Sequence, residues 1–218
     1  MVIQINKGPD NWTIEKKRFS VLNVGVGGQG IIRTTQILAW AALMDGYQVR
    51  TAETHGMAQR GGSVSAYIRF GPEVASPLIP KGQVDIILAF EISEALRVFN
   101  FSGPNTYFFV NNKIIIPPMV NQMGFKYPSN EILCQQLKNL HYNTYFFDAD
   151  KLALKAGTSK ALNIVMLGII LGSDKLPIKE DSLKHSILRF IPKKSQEVNR
   201  IAFQLGIEKG KSIRRDLL

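Results

Sequence analysis

F19-S-V-L-N-V-G-V-G-G-Q-G30 is the stretch on which the reading of the whole chain turns. Phe19 to Val26 is a nearly continuous apolar run, the pattern of a strand covered on both faces. Gly25 to Gly30 makes a glycine-rich turn after it. Beyond the turn, Ile31, Thr35, Leu38 and Ala42, with Ile37 and Ala41 one step round, recur at helical spacing as far as Asp45. Gly46 closes that helix. Gln48 to Ala52 reads as a second strand. Strand, glycine turn, helix and strand in about 35 residues is the size of a βαβ unit.

Outward from this unit, Ser63 to Phe70 alternates with period two, placing Val64, Ala66, Ile68 and Phe70 on one face. That predicts a half-exposed strand, antiparallel or at an edge. Val84 to Phe90 reads as a buried strand, Glu91 to Phe99 as a short helix and Thr106 to Val110 as a strand. Asn111 to Pro128 is a long connector in which Ile114 to Ile116 can form a short strand. A helix over Ser129 to Leu140 and a strand over Thr144 to Phe147 follow. From Asp150 the period is helical throughout, with helices near 150–156, 159–172, 179–190 and 194–208. The fold class is α/β: a three-layer, Rossmann-like domain with a mostly parallel sheet and a helical C-terminal region packed back on it. The expected organisation is an N-terminal extension over 1–18, one domain over 19–208 and a basic C-terminal tail over 209–218.

Composition narrows the function. Apolar residues make up 45% of the 218 and charged residues 20%, which allows an ordinary packed core. No apolar run reaches the roughly 20 residues that span a bilayer. Ala161 to Leu171, interrupted by Asn163, reads as a buried helix. The N-terminus lacks the charged-then-apolar pattern of a signal peptide, so a soluble cytoplasmic chain is expected. The single cysteine, Cys134, excludes an internal disulfide and an iron–sulfur cluster held by this chain's own thiolates. The net charge is +10, unevenly spread. Residues 1–150 hold 13 Lys/Arg against 11 Asp/Glu; residues 151–218 hold 14 against 6. Those basic residues recur singly at helical spacing, with only Lys193-Lys194 and Arg214-Arg215 paired, and without interleaved aromatics, which suits a solvated face or an acidic partner better than nucleic acid.

Two stretches carry polar groups among small residues. Gly25-x-Gly27-x-x-Gly30 has the spacing of a dinucleotide-binding turn, whose glycines let backbone N–H groups approach a pyrophosphate at a helix N-terminus. Glu53 follows at a distance suited to a ribose contact, so a stand-alone NAD-dependent dehydrogenase is one reading. Gly27 and Gly30 serving only tight strand–helix packing is the other. Gln29, a long polar side chain within the turn, counts against the dinucleotide. The second stretch is E53-T-H-G-M-A-Q-R-G-G62. His55 can shuttle a proton near neutral pH or simply bond to backbone in a turn. Arg60, flanked by Gly61 and Gly62, can hold a carboxylate or phosphate in a two-pronged contact. In a simple α/β domain both stretches emerge at the carboxyl ends of neighbouring strands, where ligands bind. The chain has no G-K-S/T phosphate loop, H-E-x-x-H, G-x-S-x-G or C-x-x-C, and Asn111-Asn112 lacks the Gly-Asp-Gly of a thiamine site. As an enzyme on its own it is underequipped.

G-V-G-G-Q-G at 25–30, E-T-H-G-M-A-Q-R-G-G-S-V at 53–64, S-P-L-I-P-K-G at 76–82 and D-I-I-L-A-F-E at 85–91 together resemble the gamma-type domain of the 2-oxoacid:ferredoxin oxidoreductase family. A-G-T-S-K-A-L-N-I-V-M-L-G at 156–168 and P-K-K-S-Q-E-V-N-R-I-A-F-Q-L-G at 192–206 extend the resemblance to about Val21 to Gly206. Thr158 stands where that wording has Asn. The H-G-M-A-Q-R-G-G wording is similar to small (beta) subunits of members acting on indolepyruvate. The resemblance implies a heteromer. Thiamine diphosphate, Mg and the iron–sulfur clusters belong to a large alpha subunit, and this chain binds no cofactor alone and no metal. Coenzyme A is co-substrate, ferredoxin is reduced, and neither membrane nor nucleic acid is a partner. It further implies that the glycine-rich edge faces the partner. Arg60, with His55 second, acts toward the substrate. Gly25, Gly27, Gly28, Gln29, Gly30, Glu53, Gln59, Gly61 and Gly62 serve a coenzyme A phosphate or a partner group.

Overall fold

Apolar side chains that alternate sides along three strands give this sheet two covered faces. The computed structural model describes residues 18–55, 61–117, 120 and 122–215. Its strands are β1 (Phe19–Val26), β2 (Gln48–His55), β3 (Ser63–Gly71), β4 (Val84–Ala89), β5 (Ser102–Asn111) and β6 (Thr144–Phe147). In β1, β4 and β5, Val21, Ile86, Leu88 and Phe109 enter one core. Leu22, Val24, Ile87, Ala89, Phe108 and Val110 enter the other. Such two-sided burial requires a layer of helices on each face.

Among the described residues the α-helices are α1 (Ile31–Met44), α2 (Ile92–Arg97), α3 (Asn130–Leu140), α4 (Ala149–Ala156), α5 (Leu162–Gly172), α6 (Glu180–Phe190) and α7 (Gln196–Arg215). Helices α2 and α3 close the smaller core with Ile92, Ala95, Leu133 and Leu137. Helices α1, α4, α5, α6 and α7 close the larger. The three-layer α/β reading holds, and the C-terminal helices pack back on the sheet.

The strand order is β2-β3-β1-β4-β5-β6. Strands β1, β4, β5 and β6 pair parallel. Strand β3 runs antiparallel to both of its neighbours, β2 and β1. The βαβ crossover is present, since β1 and β2 run parallel, but the expectation that they are neighbouring strands needs correction, because β2 does not lie beside β1. The β1-α1-β2 crossover leaves a place one strand wide, and β3 fills it. Only residues 56–62 link β2 to β3, too few for the crossover that parallel pairing requires, so the chain turns back as a hairpin. Strand β3 is antiparallel as read, but interior to the sheet and not at its edge. Hairpin pairing also extends β2 to His55, with Glu53 opposite Ala66, so Glu53 lies in a strand and does not open the loop. Ile114 to Ile116 form no strand.

Helix α5 is the innermost helix: Leu162 to Ile170 are all buried. Its partner α7 buries Asn199, Ala202, Phe203, Gly206, Ile207, Gly210 and Ile213, one stripe at helical spacing. That stripe carries α7 beyond 208 to Arg215, so the basic residues just after 208 are helical. The two helices touch backbone to backbone through paired glycines. A Cβ on Gly206 would lie 2.3 Å from Val165 O, and one on Gly168 would lie 2.4 Å from Phe203 O. Gly172 and Gly210 repeat the pattern one turn on, at 2.3 Å from Ile207 O and 2.2 Å from Ile169 O. Small residues four apart let helix axes approach this closely, here in an aqueous core.

Helix α6 has no side-chain cap of its own. Asp45, buried at the end of α1, supplies one across the fold: Oδ2 accepts from Lys179 N at 2.7 Å and Oδ1 from Ser182 Oγ at 2.5 Å. Ser186 Oγ donates to Ile37 O at 2.7 Å along the same contact.

Candidate functional site

Strands β1, β2, β4, β5 and β6 all point the same way, so their carboxyl ends share one edge. The turn 25–30, which follows β1, and residues 61–62, which lead into β3, both lie at this edge. The two are tied directly: Gly27 N donates to Gly62 O at 2.9 Å.

Within the turn, Gln29 closes on the protein itself. Its Oε1 accepts from Val26 N at 2.7 Å, and its Nε2 donates to Phe90 O at 3.0 Å. Both ends of the amide are engaged, so Gln29 shapes the turn and joins it to the end of β4. Gly25 is needed for close packing, since a Cβ there would lie 2.9 Å from Phe90 Cβ. Gly28 and Gly30 have φ of 103° and 82°, the left-handed region that favours glycine. Gly30 is the N-cap of α1, which has no side-chain cap, so its first N–H groups are left for another acceptor.

The other strand ends add polar groups. Asn111 closes β5: its Nδ2 donates to Phe90 O at 3.2 Å and to Asp150 Oδ2 at 2.7 Å, and its Oδ1 accepts from Ala149 N at 2.9 Å. Glu91 caps α2, is fully buried, and accepts from Ser93 Oγ, Glu94 N and Ile115 N. Burial pushes its carboxyl pKa up; those hydrogen bonds oppose the shift and the nearby Glu94 charge adds to it. Glu94, also buried, accepts from Ser63 Oγ and pairs with Arg97 Nε at 3.2 Å. Ser63 is the first residue of β3, so the end of the 56–62 segment is fastened to α2 as well as to the glycine turn.

Of the residues singled out by sequence, Gly25, Gly27, Gly28, Gln29, Gly30, Gly61 and Gly62 lie at this edge. Glu53 is an exposed residue near the end of β2, and His55 is that strand's last residue. Gln59 and Arg60 lie outside the described residues.

A groove of about 430 Å³ opens beside the turn. It is lined by Gly28, Gly30, Arg33, Lys113, Lys160 and Asn163, among others. Asp150 also lines it, but its carboxylate is engaged by Asn111 and lies 4.0 Å from Lys113 Nζ. Arg33 and Lys160 are exposed on its rim. A cleft of about 410 Å³ adjoins it across the turn, lined by Gly27, Gly28, Ile32, Gln36 and Val64. The arrangement offers backbone donors and cations, and suits an anion. Among the described residues no group of three or more His, Cys, Asp or Glu is placed to hold a metal. No helix among them is long and apolar enough to cross a membrane. Sequence reasoning missed Lys113, Asn163 and the Glu91–Glu94 pair. Asn163 left a trace, as the one polar residue in an apolar run.

The model of the pyruvate ferredoxin/flavodoxin oxidoreductase family matches residues 20–209. Subunit IorB of indolepyruvate oxidoreductase from Pyrococcus horikoshii is 39% identical over 199 residues, covering 90% of this chain and 98% of that protein. The same subunit from Thermococcus kodakarensis is 38% identical over 198 residues, with the same coverage. The gamma subunit of a keto/oxoacid ferredoxin oxidoreductase from Geobacter sulfurreducens has a similar fold, with a TM-score of 0.65 at 22% identity, over 89% of this chain and 99% of that one. The 2-oxoglutarate:ferredoxin oxidoreductase of Magnetococcus marinus, solved with 2-oxoglutarate, coenzyme A and succinyl-CoA bound, has a TM-score of 0.67 at 22% identity. That match covers 94% of this chain but 32% of the other.

Proposed function

The chain belongs to the pyruvate ferredoxin/flavodoxin oxidoreductase family, and on that premise we propose that it is the small subunit of an indolepyruvate:ferredoxin oxidoreductase. The observation that carries this is identity of 39% running over nearly the whole of both chains. The complex converts an arylpyruvate and coenzyme A to an aryl-acetyl-CoA and carbon dioxide, and passes the electrons to ferredoxin. Family membership displaces the stand-alone NAD dehydrogenase, and Gln29 filling the turn from within agrees with that.

The partner is a large alpha subunit. Thiamine diphosphate with Mg supplies the decarboxylation chemistry there, and iron–sulfur clusters the path for electrons. This chain contributes the carboxyl edge of its sheet. Arg60 reaches toward the partner and sets a positive charge against the substrate carboxylate or a coenzyme A phosphate, with His55 as a second polar group. The glycine turn offers α1's N-terminal N–H groups to a coenzyme A phosphate. Fastening the 56–62 segment at Gly62 and Ser63 holds that edge in register. The Magnetococcus chain, in which the matching region is 32% of a longer polypeptide, supports a fold that works against further domains.

The test is Arg60→Ala in the co-expressed complex. The two subunits should still co-purify while turnover falls on the order of 100-fold, the scale for removing one charge-stabilising donor. Undiminished turnover would remove Arg60 from the site. Purification from the native source without a large thiamine- and iron–sulfur-containing partner would remove the assignment itself.

A further inference from the structure

Two carboxylates are buried side by side where β4 gives way to α2. Glu91, the N-cap of α2, is 0% exposed, and Glu94, three residues on, is 5% exposed. Taking two like charges out of water is costly, and an apolar pair of the same size would fill the space at less cost. What the carboxylates provide instead is direction, because each reaches a different segment of the carboxyl edge.

Glu91 grips the chain after β5. Its Oε1 accepts from Ile115 N at 3.3 Å, and Ile92 N, beside it, donates to Lys113 O at 3.0 Å. Its Oε2 accepts from Ser93 Oγ at 2.6 Å and from Glu94 N at 3.0 Å, which fixes the turn that carries Glu94. Glu94 reaches the other segment. Its Oε1 is held by Arg97 Nε at 3.2 Å, and its Oε2 accepts from Ser63 Oγ. Ser63 is the first residue of β3, and Gly62 O before it accepts from Gly27 N at 2.9 Å. Strand β3 is held without the Glu94 bond, because it pairs with β1 from Ser63 to Phe70 and with β2 from Val64 to Gly71. The carboxylate adds a fixed direction for the chain as it enters the strand.

We infer that Glu94 is a positioning residue for the reaction at this edge. Through Ser63 it sets the line on which the Arg60 segment meets the sheet, and Glu91 holds Glu94 in place for that task. The inference rests on the role given to Arg60 above and names the group through which the fold enforces it. Glu94 acts through Ser63 and does not itself touch substrate.

The experiment uses the co-expressed complex. Ser63→Ala removes the hydroxyl of a half-buried residue and leaves both backbone ladders intact, while Ser63→Thr keeps the hydroxyl. In Ser63→Ala the subunits should still co-purify, and turnover per intact complex should fall about tenfold, since a small misplacement of a positioned group costs that much or more. Ser63→Thr should restore it. Glu94→Ala should also slow the complex, and adding Ser63→Ala to it should cost nothing more, because the hydrogen bond is already gone. In an Arg60→Ala background Ser63→Ala should likewise have no further effect, whereas a merely structural role lowers turnover by the same factor in both backgrounds. Wild-type turnover in Ser63→Ala, or effects that multiply in either double variant, overturn the inference. If Arg60→Ala slows the complex and Ser63→Ala does not, only the role of Glu94 falls. If neither slows it, the reading of the Arg60 segment falls as well.

Discussion

Gly206→Ala adds a methyl group where α5 and α7 meet backbone to backbone. The new Cβ would lie 2.3 Å from Val165 O and 3.0 Å from Gly168 Cα, where ordinary contact begins at 3.4 Å. No rotamer change can relieve a clash between backbones, so the helices must part by about 1 Å, in an interior packed as densely as an organic crystal. A gap of that size forfeits about a quarter to a half of each dispersion contact along the seam. Overpacking of this kind costs about 3 kcal/mol, against about 1 kcal/mol gained from the better helix propensity of Ala. The net loss is about 2 kcal/mol, or a Tm lower by about 4–8 °C in a domain of this size. Thermal melting and urea unfolding of the purified chain measure it. The exposed Gln204→Ala on the same helix serves as control and should stay within about 0.5 kcal/mol of wild type. A melting temperature unchanged or raised in Gly206→Ala would refute the argument, because helix propensity alone predicts that sign.

Asp45→Ala removes the acceptor for Lys179 N and Ser182 Oγ and leaves α6 uncapped. It should cost about 2 kcal/mol in urea unfolding, with Asp45→Asn recovering part of the loss; equal stability of all three would show that the cap contributes nothing. Glu91 gives a pH prediction. Burial raises its folded-state pKa, so the folded chain binds this proton more tightly than the unfolded chain does. Its contribution is greatest below the ordinary Glu range and is lost as pH rises through the raised value. The stability of wild type minus that of Glu91→Gln, followed by urea unfolding from acid toward neutral pH, should therefore shrink as pH rises. A difference that grows would show that the hydrogen bonds to the carboxylate outweigh its desolvation.

The local pattern of residues determined most of the elements by itself. Phe19 to Val26, Val84 to Ala89 and Thr144 to Phe147 are strands because their apolar runs suit burial in a sheet, and α1 ends where Gly46 can take a φ of 86°. The glycine turn was legible because positions such as Gly28 and Gly30, with φ of 103° and 82°, favour glycine. The placing of β3 between β2 and β1 was not legible, because period-two alternation says which side faces a core and nothing about which strand lies alongside. Likewise Gly168, Gly172, Gly206 and Gly210 read as ordinary helix residues until two helices separated by a third along the chain are seen to touch through them. Gln29 and Asn163 show the same division within the site. Each is a polar residue whose type is plain from sequence. Only the tertiary structure brings Phe90 O to Gln29 and packs Asn163 over Gly30, because hydrogen bonding and packing depend on groups that arrive from distant parts of the chain.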